Sequence, residues 1–324
     1  MPPNLPIPSL FLRLTLVALP LAIAVWWAAP GDPVDALLEH KADLVRVERM
    51  PAPELGERVE RWRMMTAGGD TLRALWRAAA PGAARPWTVV LLGGLVTGDR
   101  ATLLVPDDAA THVLAVDWPW REPRRMSWWR AVLRVGAIQR GVMTSPAVLA
   151  LGVEAAAGAP EVTPERIALM GVSLGVAPAV SVLRLTHRPA ALILLHGAAD
   201  IRELLRHGLA REGVPGFLAS PLSALASRLI HPLEPSLHAA AVGARPVLMI
   251  NAVGDPLLPA KCVKRLHGLF PAGDVRWGAP LHGARERRVS VADATREVEA
   301  WLKTAAVAKR PGLPPGPRRV SKSA

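Results

Sequence analysis

Six short apolar runs, spaced by stretches long enough to cross back over a sheet, constrain this chain more than any other feature. They lie at residues 88–92, 112–117, 166–170, 191–196, 246–251 and 274–277. None alternates strictly between apolar and polar positions, which is the pattern of strands covered on both faces. Residues 129–157, 176–186, 259–269 and 291–306 read as the helices between and after them, with Pro146 expected to break the first. Upstream, residues 59–66 and 71–78 alternate around Ala67-Gly68-Gly69-Asp70, a turn that closes hairpins, so an antiparallel pair opens the sheet. The fold class is therefore α/β, a mostly parallel sheet with helices on both faces.

At 324 residues the chain can form one large α/β domain, and no linker divides it. That domain is expected over residues 59–306, after a linker or helix at 31–58. Within it, residues 201–243 exceed a simple crossover and predict a small helical insertion over the carboxyl end of the sheet. Residues 307–324, basic and proline-rich, cannot bury a core and read as a disordered tail. Residues 1–30 read as a hydrophobic signal or anchor segment, because 14–29 are almost purely apolar and Leu10, Phe11 and Leu12 extend them. The protein is thus expected to be exported or membrane-anchored, on the periplasmic side in a bacterium, with membrane association through residues 10–29. A buried amino-terminal helix in a cytoplasmic protein is the alternative. Pro30 argues against cleavage directly after Ala28 and Ala29.

The net charge of +12 raises the question of a polyanionic partner, but the arginines are scattered along the chain. Arg121, Arg124, Arg125 and Arg130, interleaved with Trp118, Trp120, Trp128 and Trp129, read as a solvated loop with partly buried tryptophans, a membrane or substrate-entrance role being the alternative. No nucleic acid is expected as a partner. The single cysteine, Cys262, excludes an intramolecular disulfide and a cysteine metal cluster, and reads as a small core residue. No cofactor and no metal is expected.

Chemistry enters at Gly171-Val172-Ser173-Leu174-Gly175, a G-x-S-x-G pentapeptide between an apolar run and a helical segment. A serine on such a turn exposes its hydroxyl while the following N–H groups face a reacting carbonyl. A hydroxyl is a weak nucleophile near neutral pH, so it needs a base and a group that orients the base. Asp255, in the glycine and proline turn after the run at 246–251, and His282, on the loop after the run at 274–277, follow in that order. Both fall at the sheet edge where open parallel sheets bind ligands. Asp117 and Asp200 are rival acids, and His196, His238 and His267 rival histidines. Asp255 as a helix N-cap is the structural alternative. For the oxyanion, one donor is the N–H of Leu174 and the other the N–H of Leu95, in the Gly93-Gly94-Leu95 loop after the run at 88–92.

On these residues the chain resembles the α/β-hydrolase fold serine hydrolases over residues 59–306. The resemblance implies a mostly parallel eight-stranded sheet, a triad in the order Ser173, Asp255, His282, and acyl-enzyme hydrolysis without a cofactor. Many members carry His-Gly where this chain has Gly93-Gly94. The implied activity is cleavage of a carboxylic ester, with a small ester or acyl substrate of hydrophobic character suggested by the apolar insertion. Peptidase, lipase, thioesterase and acyltransferase activities use the same triad, and a non-catalytic binding scaffold is the alternative of another class. Serine at position 173 argues against the relatives that place an aspartate nucleophile there.

Overall fold

The computed structural model describes residues 31–94, 97–119, 134–278 and 287–305. Helix α1 (Pro33–Leu38) is started by the Asp32 carboxylate, which accepts the Val34 N–H at 2.7 Å, and by proline at its first position. Three antiparallel strands follow, β1 (Leu44–Pro51), β2 (Val59–Thr66) and β3 (Thr71–Arg77). Then come β4 (Thr88–Leu92), β5 (His112–Val116), β6 (Ile167–Val172), β7 (Ala191–Leu195), β8 (Val247–Ala252) and β9 (Asp274–Gly278), all parallel to their neighbours within this group. The helices between and after them are α2 (Val135–Ala157), α3 (Val176–Ser181), α4 (Ile201–Arg211), α5 (Gly216–Leu229), α6 (Pro235–Val242), α7 (Ala260–Leu269) and α8 (Arg287–Ala305).

The sheet has nine strands in the order β1-β2-β3-β5-β4-β6-β7-β8-β9, where eight were expected. The additional strand is β1, inside the stretch read as a linker or helix. It is an edge strand in which Arg46, Glu48 and Arg49 and a register shift between Leu44 and Arg46 break the alternation, although Leu44 and Val47 pack on the core. Helix α2 also differs from expectation, since it runs unbroken through Pro146. A proline there removes the N–H that would bond the Val142 carbonyl. The Ser145 hydroxyl donates to that carbonyl at 2.5 Å instead, and the helix continues.

Alternate strand residues feed two separate cores. Val90, Leu92, Leu114 and Leu169 join α2 and α3 on one face, together with the stacked pair Trp62 and Trp76, whose ring centroids are 5.0 Å apart. Val89, Leu91, Val113 and Met170 point to the other face, where Val298, Trp301 and Leu302 of α8 meet them. The stretch expected as a helical insertion forms α4, α5 and α6. Among the described residues no helix is long and apolar enough to cross a membrane, and the expected anchor at 1–30 lies outside them. The expected tail at 307–324 and the residues from Trp120 to Arg130 also lie outside the described residues.

Candidate functional site

Ser173 sits where β6 turns into α3, in a single turn of 3-10 helix spanning Ser173–Gly175. Its φ is +55°, the left-handed region that side chains other than glycine rarely occupy. Holding a non-glycine residue there costs about 1–3 kcal/mol, so the surrounding packing must enforce it. The two flanking glycines make that packing feasible. A Cβ on Gly171 would lie 2.5 Å from the Gly175 carbonyl oxygen and 2.8 Å from Ala179 Cβ, and one on Gly175 would collide with the Leu92 carbonyl. The turn is thus pressed against the carboxyl end of β4, bringing the loop that begins at Gly93 beside Leu174.

That loop is held from three sides. Trp118 Nε1 donates to the Gly93 carbonyl at 2.9 Å, and the Thr97 hydroxyl donates to the Gly94 carbonyl at 2.9 Å. A Cβ on Gly93 would lie 2.7 Å from the Gly98 carbonyl oxygen, so the close approach requires glycine. Leu95, the expected second oxyanion donor, lies outside the described residues. Leu174, the first, is half exposed at the turn.

Asp255 follows β8, the second strand over from β6 in the sheet, and its carboxylate is nearly fully buried. Oδ1 accepts the Leu257 N–H at 2.8 Å, while Oδ2 lies 3.6 Å from Nδ1 of His196, whose ring is buried as well. Helix α7 begins later, with Pro259 at its N-cap position, so Asp255 is not a helix cap. His282 lies outside the described residues, four positions beyond the end of β9.

No protein-family model matches the sequence, and no curated protein matches it. Solved structures do. An esterase from Pyrococcus furiosus aligns with 82% of this chain and 97% of its own at 17% identity and a TM-score of 0.51. An alpha/beta hydrolase from Penicillium aligns with 76% of this chain and 98% of its own at 16% identity and a TM-score of 0.51. This chain has the α/β-hydrolase fold. A puromycin-hydrolysing peptidase from Mycobacterium tuberculosis aligns with 82% of this chain at 18% identity and a TM-score of 0.55, and the aligned part is 42% of that longer chain.

Within this fold the rival residues other than His196 have partners of their own. Asp200 is the N-cap of α4, accepting the Glu203 N–H at 3.1 Å and pairing with Arg265 at 3.2 Å. Asp117 Oδ1 accepts the Trp118 N–H, and the residue lines a polar groove with Arg61, Arg73 and Arg100, away from Ser173. His238 Nε2 donates to the Pro232 carbonyl at 2.6 Å, and burial holds this imidazole below its ordinary pKa. His267 Nε2 donates to Asn251 Oδ1 at 3.0 Å, is likewise lowered by burial, and packs edge-on to Trp277. Cys262 is buried beside Ala198 and Val263, and burial pushes its thiol up to about 11.

His196 is the residue whose setting sequence reasoning missed. It is the first residue past β7, with a left-handed φ of +48°, and its N–H donates to the Ile250 carbonyl of β8 at 2.7 Å. That bond continues the β7–β8 pairing by one residue, beside the loop after β8 that carries Asp255. A histidine followed by glycine at a strand end was the signal available, since a Cβ on Gly197 would collide with Val176 at 2.5 Å. Among the described residues no cluster of three or more His, Cys, Asp or Glu is placed to hold a metal ion.

Beside Ser173 opens a cavity of about 390 Å³. Leu174 and Leu257 stand at its mouth, Leu91, Val89 and Val113 form its floor on the sheet, and α8 forms its roof. Helix α4 reaches the same edge, because His207 Nε2 donates to the Pro256 carbonyl at 3.1 Å, next to Asp255.

Proposed function

We propose that this protein is a serine hydrolase that cleaves a carboxylic ester through an acyl-enzyme. The observation that carries the reading is the left-handed Ser173, held in a turn between β6 and α3 that only glycines at 171 and 175 allow. A conformation this unfavourable for serine is kept where the turn's N–H groups and a buried carboxylate share one sheet edge.

Ser173 Oγ attacks the ester carbonyl carbon as His282 takes its proton, and the resulting oxyanion is held by the N–H groups of Leu174 and Leu95. The alcohol leaves with the proton returned by His282. Water then attacks the acyl-enzyme with His282 again as base, releasing the acid and freeing Ser173. Asp255 keeps the His282 ring oriented and stabilises it when charged. Ester and peptide hydrolysis differ mainly in the leaving group, and both occur in proteins that share this fold.

His196 supports a second assignment of the base, because its Nδ1 already faces the Asp255 carboxylate at 3.6 Å. The experiment that tests both is active-site labelling with a fluorophosphonate, read by intact mass. Wild type should gain one adduct, Ser173→Ala none, and His282→Ala should label at least about 100-fold more slowly. Loss of labelling in His196→Ala with His282→Ala unaffected would transfer the base role to His196. Wild type without any adduct would remove the hydrolase reading. A panel of matched esters and amides then separates esterase from peptidase.

A further inference from the structure

We propose that the cavity between the sheet and α8 is an acyl-chain site, and that the substrate carries an unbranched saturated acyl group of medium length. This rests on the hydrolase reading of Ser173 and goes beyond it by naming what is attached to the carbonyl.

The shape carries the first step. The cavity starts at Ser173 and runs beneath the sheet edge, past Leu91 and Val89 of β4 to Val113 and Thr111 at the start of β5. From Gly93 to Val89 is four strand residues, about 13 Å, the extended length of roughly ten carbons. An acetyl group would leave most of that space unfilled. At Thr111 the sheet and α8 are tied together, its hydroxyl donating to Glu299 Oε1 of α8 at 3.0 Å.

The chemistry of the wall carries the second. Helix α8 turns Val291, Ala294, Thr295 and Val298 toward the cavity, the spacing of a single helix face. Apart from Ser173, the side-chain hydroxyl protons on the wall are already used. Thr295 Oγ1 donates to the Val291 carbonyl at 2.8 Å, Thr97 Oγ1 to Gly94, and Thr111 Oγ1 to Glu299. These three threonines therefore have no hydroxyl proton left to donate to an occupant. The carbonyl oxygens of a peptide or the ring oxygens of a sugar acyl group would be buried there without side-chain donors, whereas an alkyl chain loses nothing.

The anchoring of α8 carries the third. Its second half is fixed by Trp301 Nε1 donating to Asp274 at 2.6 Å and by the ion pair of Glu297 with Arg276. Bulky Trp301 and Leu302 fill the core there, while the first half presents Ala294 and leaves the space open. Ala294 is then the position at which added bulk shortens the site.

The test is kcat/KM on p-nitrophenyl esters from acetate to tetradecanoate, together with calorimetric binding of decanoate to the full-length Ser173→Ala protein. The expected profile rises about threefold to fourfold per methylene to an optimum near eight to ten carbons and falls by tetradecanoate. In Ala294→Phe the decanoate-to-acetate ratio of kcat/KM should fall at least tenfold, and Ser173→Ala/Ala294→Phe should lose decanoate binding. Val291→Phe serves the same purpose should the first variant fail to fold. Ester turnover with a flat chain-length profile and no decanoate binding overturns the acyl site while the hydrolase reading stands. Decanoate binding that is lost in Ser173→Ala/Ala294→Phe, with no turnover of any ester, overturns the hydrolase reading and leaves a fatty-acid site.

Discussion

The two faces of the sheet are built to different standards. On the face carrying α2 and α3 the core is continuous, and a glycine, Gly152, lets α2 settle onto Val90 and Val116. On the other face α8 packs into the core through Val298, Trp301 and Leu302, and the stretch from Val291 to Val298 stands over a cavity of about 390 Å³. Close packing supplies dispersion contacts that an open space forfeits. Stability and open space are divided between the faces: one holds the strained turn at Ser173 in place, the other leaves room beneath it.

The contrast breaks most visibly at Leu149, fully buried on the packed face. Leu149→Ala should cost about 2–5 kcal/mol in a urea titration, because the neighbours around it cannot collapse into the gap. A loss below about 1 kcal/mol would show that this face is looser than its contacts indicate.

The next effect is a pH dependence that belongs to the packed face. His112 stacks on Trp76 at 4.9 Å and its Nδ1 accepts the Ala79 N–H, while His238 is buried against the Pro232 carbonyl. Burial holds both imidazoles below the ordinary value of 6.5, so the unfolded chain takes protons first as the pH falls. Their contribution is complete above about 6.5 and is lost on going down toward the depressed folded values, at most about 1.4 kcal/mol per pH unit for each. Thermal unfolding at pH 7.5 and 5.5 should show this loss, and His112→Gln should shrink the difference between the two temperatures. An unchanged difference would place the pH sensitivity elsewhere.

A smaller effect is expected at Gly152, where a Cβ would lie 2.7 Å from Val116 Cγ1 and 3.2 Å from Val90 Cγ1. Overpacking of this kind costs about 1–3 kcal/mol, and replacing a helical glycine returns up to about 1 kcal/mol. Gly152→Ala should therefore be destabilised by about 1 kcal/mol, measured by the same titration. A gain in stability would mean that the sheet gives way under α2.

What the sequence made legible follows from where the information sits. The runs that became β4 to β8 and the turn at Ser173 are local patterns, apolar residues bounded by glycine and proline, and they read directly. Strand β1 did not, because its charged residues and its register shift break the alternation. The unbroken α2 did not, because the Ser145 hydroxyl that satisfies the Val142 carbonyl is a side-chain choice invisible to periodicity. The nearness of His196 to Asp255 depends on the register between β7 and β8, which are joined through three helices. The cavity is the extreme case. It consists of volume that none of the described residues fills, and away from Ser173 and the loop at Gly93 the strand and helix residues around it read as ordinary core positions.

That last point gives the smallest expected effect. Ala294→Leu adds three carbons to α8 at a position facing the cavity, and leucine is nearly as good a helix former as alanine. The new side chain enters that space without displacing a neighbour and removes apolar surface from water. Stability should then stay within about 0.5 kcal/mol of wild type or rise by up to about 1 kcal/mol. The comparison with Gly152→Ala is the informative one, since a single methyl added on the packed face is expected to cost more than three carbons added on the open face. Should Ala294→Leu prove the more destabilising of the two in parallel urea titrations, the face beneath Ser173 is filled and the division between the faces fails.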